Sequence, residues 1–423
     1  MRTLLLVFFL AITSFAQINF DDYFYNKTMR FDYYESGNIN SESFSYAGLK
    51  EEPYWGGSKT VLLDTVQYGN YRFVIKDFKT NQEIYSRGYS TLFMEWQTTE
   101  EAKHLTKTFS GSLILPFPKD SVIVEIYKRD KRTVFRKRYS QVIDPASYFV
   151  QKERTYEFYN FEVHKAGDPS VCYDIVLLPE GYKEGELSKF KEKCREFAKT
   201  LFEFPPFDEY KDKINIWGVE AASEESGSDI PADSVWKKTI MNSTYYTFDS
   251  ERYIMTQDFH RVKDIASNAP YDQIYILANS DKYGGGAIFN FYSLTAANNS
   301  RSDKVFIHEL GHGLAGLADE YYTSDVSYQD YYPTDVEPWE PNITTLVNFD
   351  SKWKDLMSST TAIPTDAEDE DNYNVLGVYE GGGYVAKGVY RPSVNSVMKA
   401  LEPDGFNLPS LRAIKLVLDQ YTK

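Results

Sequence analysis

Residues 305–322 read VFIHELGHGLAGLADEYY, and the spacing of their polar residues constrains how this part of the chain can fold. It contains His-Glu-x-x-His, which uses two of the five histidines in the chain. On a helix, His308 and His312 lie on one face and about 6 Å apart along the axis, so both imidazoles can reach one metal ion. Glu309 can hold a water beside that ion and act as a general base. The spacing therefore predicts a catalytic zinc site that hydrolyses amide bonds.

A catalytic zinc ion needs a third protein ligand, and the residues after His312 offer two acids. Asp319 has nearly the same helical bearing as His312, but an unbroken helix would carry it about 10 Å along the axis. The helix must therefore end, and Gly313 and Gly316 allow this because glycine enters the left-handed conformation without penalty. We expect Asp319 to be the third ligand, and Glu320 is the alternative.

Two patterns divide the rest of the chain into two predicted domains. Residues 17–150 are short alternating apolar runs separated by Gly, Asn, Asp and Pro, which predicts an all-β sandwich. Residues 155–423 alternate strand-like and helix-like runs, which predicts an α/β (α+β) domain. Its predicted strands are residues 172–178, 214–219, 273–278 and 287–293, and its predicted helices carry apolar stripes at residues 187–201 and 411–421.

Charge and targeting signals limit the partners and the compartment. The chain has 62 acidic and 46 basic side chains, so its field repels nucleic acid. Residues 1–16 have the pattern of a signal peptide, which predicts export to the periplasm, the cell surface or the medium. No cysteine lies near the predicted cut, so we expect no lipid anchor, and no apolar run is long enough for a membrane span. Pairing of Cys172 with Cys194 remains open.

The motif also resembles known enzymes. His-Glu-x-x-His followed by Gly-x-x-Asp is similar to the metzincin zinc peptidases, although Gly316 and Asp319 stand one position later than in that pattern. Residues 392–398, PSVNSVM, resemble the Met-turn of these enzymes. This likeness implies that Met398 forms an apolar floor beneath the histidines.

A narrower resemblance is to the bacterial IgA peptidase family of metzincin-like metallopeptidases. It is carried by HELGH at residues 308–312 with LADEY at 317–321, and by LLPEGY, SEESG, YGGG and YRP at 177–182, 223–227, 283–286 and 390–392. The resemblance implies a zinc endopeptidase with one catalytic ion, preceded by a β domain. Immunoglobulin or another glycoprotein as substrate would follow from the family name alone.

Other segments have weaker signals. Gly284, Gly285 and Gly286 lead into a predicted strand just upstream of the zinc motif, and glycines allow another chain to approach closely, so we expect them to bind substrate. Tyr384 or Tyr390 is a candidate donor to a developing oxyanion. The acidic run at residues 366–372 lacks the spacing of a calcium loop, so calcium is possible but unsupported.

The sequence thus predicts an exported zinc peptidase that acts on a protein or peptide. The alternative is a non-catalytic cell-surface binding or adhesion protein with a structural or degenerate metal site. A structural site is closed by a fourth protein ligand and needs no base, whereas here Glu309 is intact.

Overall fold

The computed structural model describes residues 18–322, 332–367, 375–401 and 405–423. The predicted signal peptide lies outside these residues, as does most of the acidic run at residues 366–372. Within the described ranges, no helix has the length and apolar character needed to cross a bilayer.

The N-terminal region folds as two sheets that share one hydrophobic core. Its elements are α1 (Phe20–Tyr23), β1 (Phe24–Asn38), β2 (Ser41–Glu52), β3 (Tyr71–Asp77), β4 (Glu83–Tyr89), α2 (Leu92–Trp96), β5 (Lys107–Pro118), β6 (Val122–Arg129), β7 (Phe135–Ile143) and β8 (Val150–Gln151). The strand orders are β5-β1-β2-β8 and β4-β3-β6-β7, and all pairs are antiparallel except β2 with β8. Alternate side chains such as Tyr71, Phe73 and Ile75 of β3 enter the core, as the period of two predicts.

The helices α1 and α2 depart from the prediction of a purely β region. α2 begins after Thr91, whose hydroxyl accepts a hydrogen bond from the backbone N–H of Met94 at 3.1 Å. This N-cap satisfies one of the free donors of the first turn. The helix is only five residues long, too short for its apolar residues to show a helical period.

The C-terminal region is built on one six-stranded mixed sheet. Its elements are β9 (Asn160–His164), β10 (Tyr173–Glu180), α3 (Leu187–Leu201), β11 (Ile214–Val219), α4 (Phe259–Ala266), β12 (Gln273–Ala278), β13 (Gly285–Ile288), β14 (Tyr292–Ala296), α5 (Ser302–Ala315), β15 (Tyr379–Gly382), β16 (Val385–Arg391) and α6 (Leu408–Thr422). The strand order is β13-β14-β12-β10-β11-β9, with β10, β11, β12 and β14 parallel and the two edges antiparallel. β15 and β16 form a separate hairpin.

The predicted helices at both ends of this region are confirmed. In α3, Leu187, Phe190, Cys194, Phe197 and Leu201 are all buried. α6 begins after Asn407, whose side chain accepts from the N–H of Ser410, and its inner face is likewise buried. These helices and α5 cover one face of the sheet, and α4 lies on the other.

The prediction of a single strand at residues 287–293 is wrong. β13 ends at Ile288, and the chain reverses through Phe289, Asn290 and Phe291 into β14. Asn290 takes a left-handed φ of 49°, which asparagine tolerates better than most residues. Its N–H donates to the Gly313 carbonyl at 2.8 Å and its side chain to the Gly88 carbonyl at 2.8 Å. The apolar residues on both sides hide this turn from a sequence pattern.

A buried group of charges joins the two regions, and we call it the interface cluster. Arg30 of β1 contacts Asp32 at 2.8 Å, Glu52 at 3.2 Å and Asp264 of α4 at 2.6 Å. The remaining members are Lys50, which contacts Asp264 at 2.7 Å, and the buried Lys263. Three cations therefore face three carboxylates, which fixes α4 against the first sheet.

Candidate active site

Helix α5 carries both motif histidines, and small residues let it pack closely. A Cβ on Gly311 would lie 2.9 Å from the Met398 sulfur, and one on Gly313 would lie 2.2 Å from the Ser293 hydroxyl. The helix ends where the left-handed Gly316, with a φ of 60°, donates its N–H to the His312 carbonyl at 2.9 Å. The expected stop is thus at Gly316, while Gly313 stays helical and serves packing instead.

The chain that leaves Gly316 returns Asp319 to the two rings. The two Nε2 atoms of His308 and His312 are 3.1 Å apart, and the Asp319 Oδ1 atom lies 3.1 Å from the first and 3.3 Å from the second. Donor atoms bound at about 2.0–2.1 Å to a tetrahedral zinc ion lie about 3.3 Å from one another. We call these three atoms the donor triangle, and its dimensions fit one such ion.

The hydrogen bonds around the triangle fix which nitrogen faces its centre. His308 Nδ1 donates to the Val397 carbonyl at 2.9 Å, and His312 Nδ1 donates to the Leu317 carbonyl at 2.5 Å. Both Nε2 atoms therefore carry lone pairs. Asp319 Oδ1 is buried and accepts no hydrogen bond from the part of the chain that the structure describes. Three electron-rich atoms in contact repel one another unless a cation lies among them, so this donor set suits a metal ion.

The other oxygen of Asp319 is held by two tyrosines. Asp319 Oδ2 accepts hydrogen bonds from the Tyr321 hydroxyl at 2.9 Å and from the Tyr384 hydroxyl. Burial alone would raise the pKa of Asp319, but attraction to His312 and hydrogen bonds from both rings, each in its protonated form, hold that pKa well below its usual range. The carboxylate is therefore charged and oriented with Oδ1 toward the histidines.

Glu320, the alternative third ligand, is committed elsewhere. Its Oε1 accepts from the side-chain amides of Asn342 at 2.9 Å and Asn407 at 2.8 Å, and its Oε2 accepts from the Ser396 hydroxyl at 2.6 Å. These bonds tie the segment after α5 to the start of α6 and to the turn before Met398. Asn342 and Asn407 are supporting residues that the sequence did not reveal, because nothing local marks them.

Glu309 lies beside the donor triangle. One of its carboxylate oxygens is within 4.8 Å of a ring nitrogen of each histidine. Its side chain packs against β13, since a Cβ on Gly285 would lie 2.6 Å from Glu309 Oε1. Burial raises the pKa of Glu309 to about 8, and His308 opposes this rise. A carboxyl tuned toward neutrality is suited to exchanging a proton.

Met398 and Tyr384 both lie at this site, whereas Tyr390 does not contact it. Met398 is fully buried under Gly311, and its carbonyl accepts from the N–H of Glu320 at 2.9 Å. Tyr384 bonds to Asp319 from the hairpin of β15 and β16. Tyr390 instead pairs through its backbone with Thr344. The turn that ends at Met398 therefore packs against α5 at Gly311.

The glycine segment forms the start of the edge strand β13. The Gly284 carbonyl accepts from the N–H of Ala296 in β14, so the N–H and C=O groups of Gly285 and Ala287 point away from β14. The Gly285 N–H already donates to the Arg252 carbonyl at 3.2 Å, and the Gly285 carbonyl already accepts from the Ile254 N–H at 3.3 Å. Ala287 therefore offers the outward backbone groups for another strand, and Gly285 serves contact with Glu309.

A cavity of about 890 Å³ opens over the donor triangle, and the N-terminal region forms one of its walls. Asn70, Ser90, Thr91, Met94 and Glu95 of that region line it together with β13 and α5. The Ser90 N–H donates to the Phe289 carbonyl at 2.9 Å, which fastens the wall to the hairpin. No sequence pattern predicted this wall, because its residues are more than 200 positions from the motif.

The two cysteines and two histidines outside the motif have ordinary surroundings. Cys172 and Cys194 are buried free thiols. His104 lies at the surface beside Glu100, and His260 bonds to backbone carbonyls of the N-terminal region.

Comparison with protein-family models decides the family. The model described as IgA Peptidase M64 matches residues 161–375 and 367–418, and the one described as Peptidase M64 N-terminus matches residues 19–140. The chain belongs to the IgA peptidase M64 family. Family membership indicates a peptidase that acts on proteins or peptides, and the resemblance inferred from the motif is confirmed. No curated protein matches the chain.

Proposed function

We propose that this member of the IgA peptidase M64 family is a zinc-dependent, metzincin-like endopeptidase. Its proposed ligands are His308, His312 and Asp319. The observation that carries the proposal is the donor triangle, in which three lone-pair atoms lie 3.1–3.3 Å apart and Asp319 Oδ1 accepts no hydrogen bond from any described residue. When bound, the ion would polarise the substrate carbonyl and lower the pKa of a water.

In the proposed reaction, this chain's residues bind the peptide and move the proton. Ala287 pairs with the substrate backbone and holds the scissile bond over the donor triangle. Glu309 takes a proton from the attacking water and delivers it to the leaving amine. The Tyr384 hydroxyl, which lies on the cleft side of Asp319, is the candidate donor to the developing oxyanion. Met398 packs against Gly311 and so holds the position of α5, which carries both histidines.

The proposal extends to the compartment and the first domain. Residues 1–16 would direct export, and the protein recovered outside the cytoplasm should then begin at Gln17, which N-terminal sequencing tests. The two sheets of the N-terminal region would form a sandwich that serves as a wall of the substrate cleft. The adhesin alternative has less support, because a binding module has no need of a buried carboxyl beside the donor triangle.

The test is the substitution Glu309→Gln in the full chain. Glutamine keeps the size of the side chain against Gly285 but cannot accept the proton. We expect zinc content and unfolding temperature to stay near those of the wild type, while peptide hydrolysis falls roughly 10²- to 10⁴-fold. Glu196→Gln, at an exposed position of α3, is the control and should leave the rate unchanged. Undiminished hydrolysis by Glu309→Gln would overturn the mechanism.

A further inference from the structure

The end of the cleft nearest Glu309 is basic. Arg252 and Arg301 both line the cavity, both are exposed, and neither guanidinium makes a hydrogen bond or salt bridge to a described residue. The chain as a whole has a formal charge of −16, so a basic cleft end runs against the general field of the molecule. Such a local reversal of charge concentrates anionic groups of a substrate.

Backbone hydrogen bonds hold Arg252 beside the edge strand. Its carbonyl accepts from the Gly285 N–H, and the Gly285 carbonyl accepts from Ile254 N–H two residues later. The guanidinium lies 5.8 Å from the centre of the ring of Tyr321, whose hydroxyl donates to Asp319. The backbone of Arg252 is thus held beside β13, and its side chain lines the cleft.

Arg301 approaches the same end of the cleft from the start of α5. Burial raises the pKa of Tyr283, and the positive charges of Arg252 and Arg301 both oppose that rise. Both guanidinium groups are therefore close enough to Tyr283 to affect its pKa, and all three side chains line the same cavity just before β13 begins. A carboxylate that reaches this point would meet two cations with planar N–H donors.

The edge strand determines which part of a substrate reaches the arginines. A peptide paired with Ala287 cannot continue along β13 past Gly285, because Arg252 and Ile254 already occupy that edge. It must leave the strand there and pass over the Arg252 side chain. If the peptide runs antiparallel to β13, it travels from the Ile288 end toward Gly285, so the residues on the carboxyl side of the scissile bond arrive at the arginines.

The geometry points to a carboxylate-binding subsite, formed by Arg252 and Arg301, that selects an acidic group one or two residues after the scissile bond. This inference rests on the proposed peptidase function and adds its substrate class. The carboxylate can come from an Asp or Glu side chain of the substrate or from its C-terminus. Both sources present the same planar anion to the guanidinium pair.

The test uses the zinc-loaded full chain and a set of matched peptides. One has Asp after the cleavage site and an amidated C-terminus, a second has Ala there and a free C-terminus two residues away, and a third has Ala and an amidated end. We expect kcat/KM for the first or second peptide to exceed that for the third about tenfold at low salt. The peptide that is favoured identifies the source, and the preference should weaken as salt rises.

Three substitutions assign the preference to the subsite. Arg252→Gln and Arg301→Gln should each reduce the acidic-to-neutral ratio of kcat/KM severalfold, and Arg252→Glu should favour a peptide with Lys at that position. The control is Arg195→Glu, which makes the same charge change as Arg252→Glu at an exposed position of α3 outside the cavity. It should leave the acidic-to-neutral ratio unchanged.

The outcomes separate this inference from the function on which it rests. Equal rates for all three peptides, or an acidic preference only on the amino side of the cleavage site, would overturn the subsite while leaving the peptidase intact. Absence of zinc-dependent hydrolysis of every peptide would instead overturn the peptidase. An equal loss of preference in Arg195→Glu would reduce the effect to overall charge and would also overturn the subsite.

Discussion

The interface cluster and the donor triangle are both buried and polar, but only the interface cluster balances its charges with its own residues. In the interface cluster, Arg30 contacts three carboxylates at 2.6–3.2 Å, and Lys50 and Lys263 bring the cations to the same number as the anions. In the donor triangle, two imidazole nitrogens and a carboxylate oxygen, all of them electron-rich, face one another at 3.1–3.3 Å. Burial is costly for both, and only the first offsets the cost with its own residues.

This difference distinguishes structure from function. A cluster that balances its charges internally fixes two regions against each other and has no need of a further group. A cluster whose own atoms are all electron-rich is oriented by its surroundings, here by two backbone carbonyls and two tyrosines, and has the chemistry to bind a cation. The predictions below break each cluster in turn.

The largest effect is expected from removing one corner of the donor triangle. Asp319→Ala should weaken zinc binding by more than about 100-fold and abolish peptide hydrolysis, because two histidines alone form an incomplete site. The measurements are zinc content by elemental analysis and the rise in unfolding temperature when zinc is added, which in the wild type reflects binding to the folded state alone.

The neighbouring acid provides the matched control for that experiment. Glu320→Gln removes a charge one position away but keeps an oxygen that can accept from Asn342 or Ser396. It should lower stability and keep the zinc-dependent rise in unfolding temperature. If Glu320→Gln lost zinc while Asp319→Ala kept it, the third ligand would be Glu320.

Breaking the interface cluster should reduce stability and leave the metal in place. Arg30→Met leaves three carboxylates without their central cation, which should cost about 3–5 kcal/mol in the free energy of unfolding. Urea unfolding measures this cost, and the folded fraction should retain full zinc content. Arg136→Met breaks an exposed pair with Asp130 and should cost at most about 1 kcal/mol. A similar cost for both variants would mean that burial adds nothing to the cluster.

The smallest effect is a change in the pH dependence of stability. Burial would raise the pKa of Asp32, but Arg30 outweighs this and lowers it. A carboxyl whose pKa is lower in the folded state stabilises the protein above its unfolded pKa of about 3.9, and this stabilisation is lost as the pH falls through the folded value. Between pH 6 and pH 3, Asp32→Asn should therefore lose less stability than the wild type, as measured by urea unfolding. A steeper loss in the variant would contradict the assigned sign.

Local patterns predicted most of the fold. The apolar stripe of α3 and the buried runs of β11 and β12 were correct because each residue set lies within one element and follows its period. The end of the helix at Gly316 was predicted from helix geometry, because a straight helix would carry Asp319 too far along the axis to reach the two imidazoles. The hairpin at Asn290 was missed because apolar residues on both sides of a turn have no period that marks it.

Contacts between distant segments could not be predicted. The bonds of Glu320 come from Asn342, Ser396 and Asn407, and the wall of the cleft comes from residues near Met94. Each of these residues is unremarkable in its own stretch of sequence. Their roles arise only when the six-stranded sheet and the N-terminal region have been assembled.

The turn at Asn290 couples the two halves of the molecule mechanically. Its side chain bonds to Gly88 of the first region, while its backbone N–H bonds to Gly313, one residue after His312. Asn290 thus joins the first region to the helix that carries both imidazoles through two hydrogen bonds on one residue. The placement of the first region and the placement of the metal-binding helix therefore depend on the same turn.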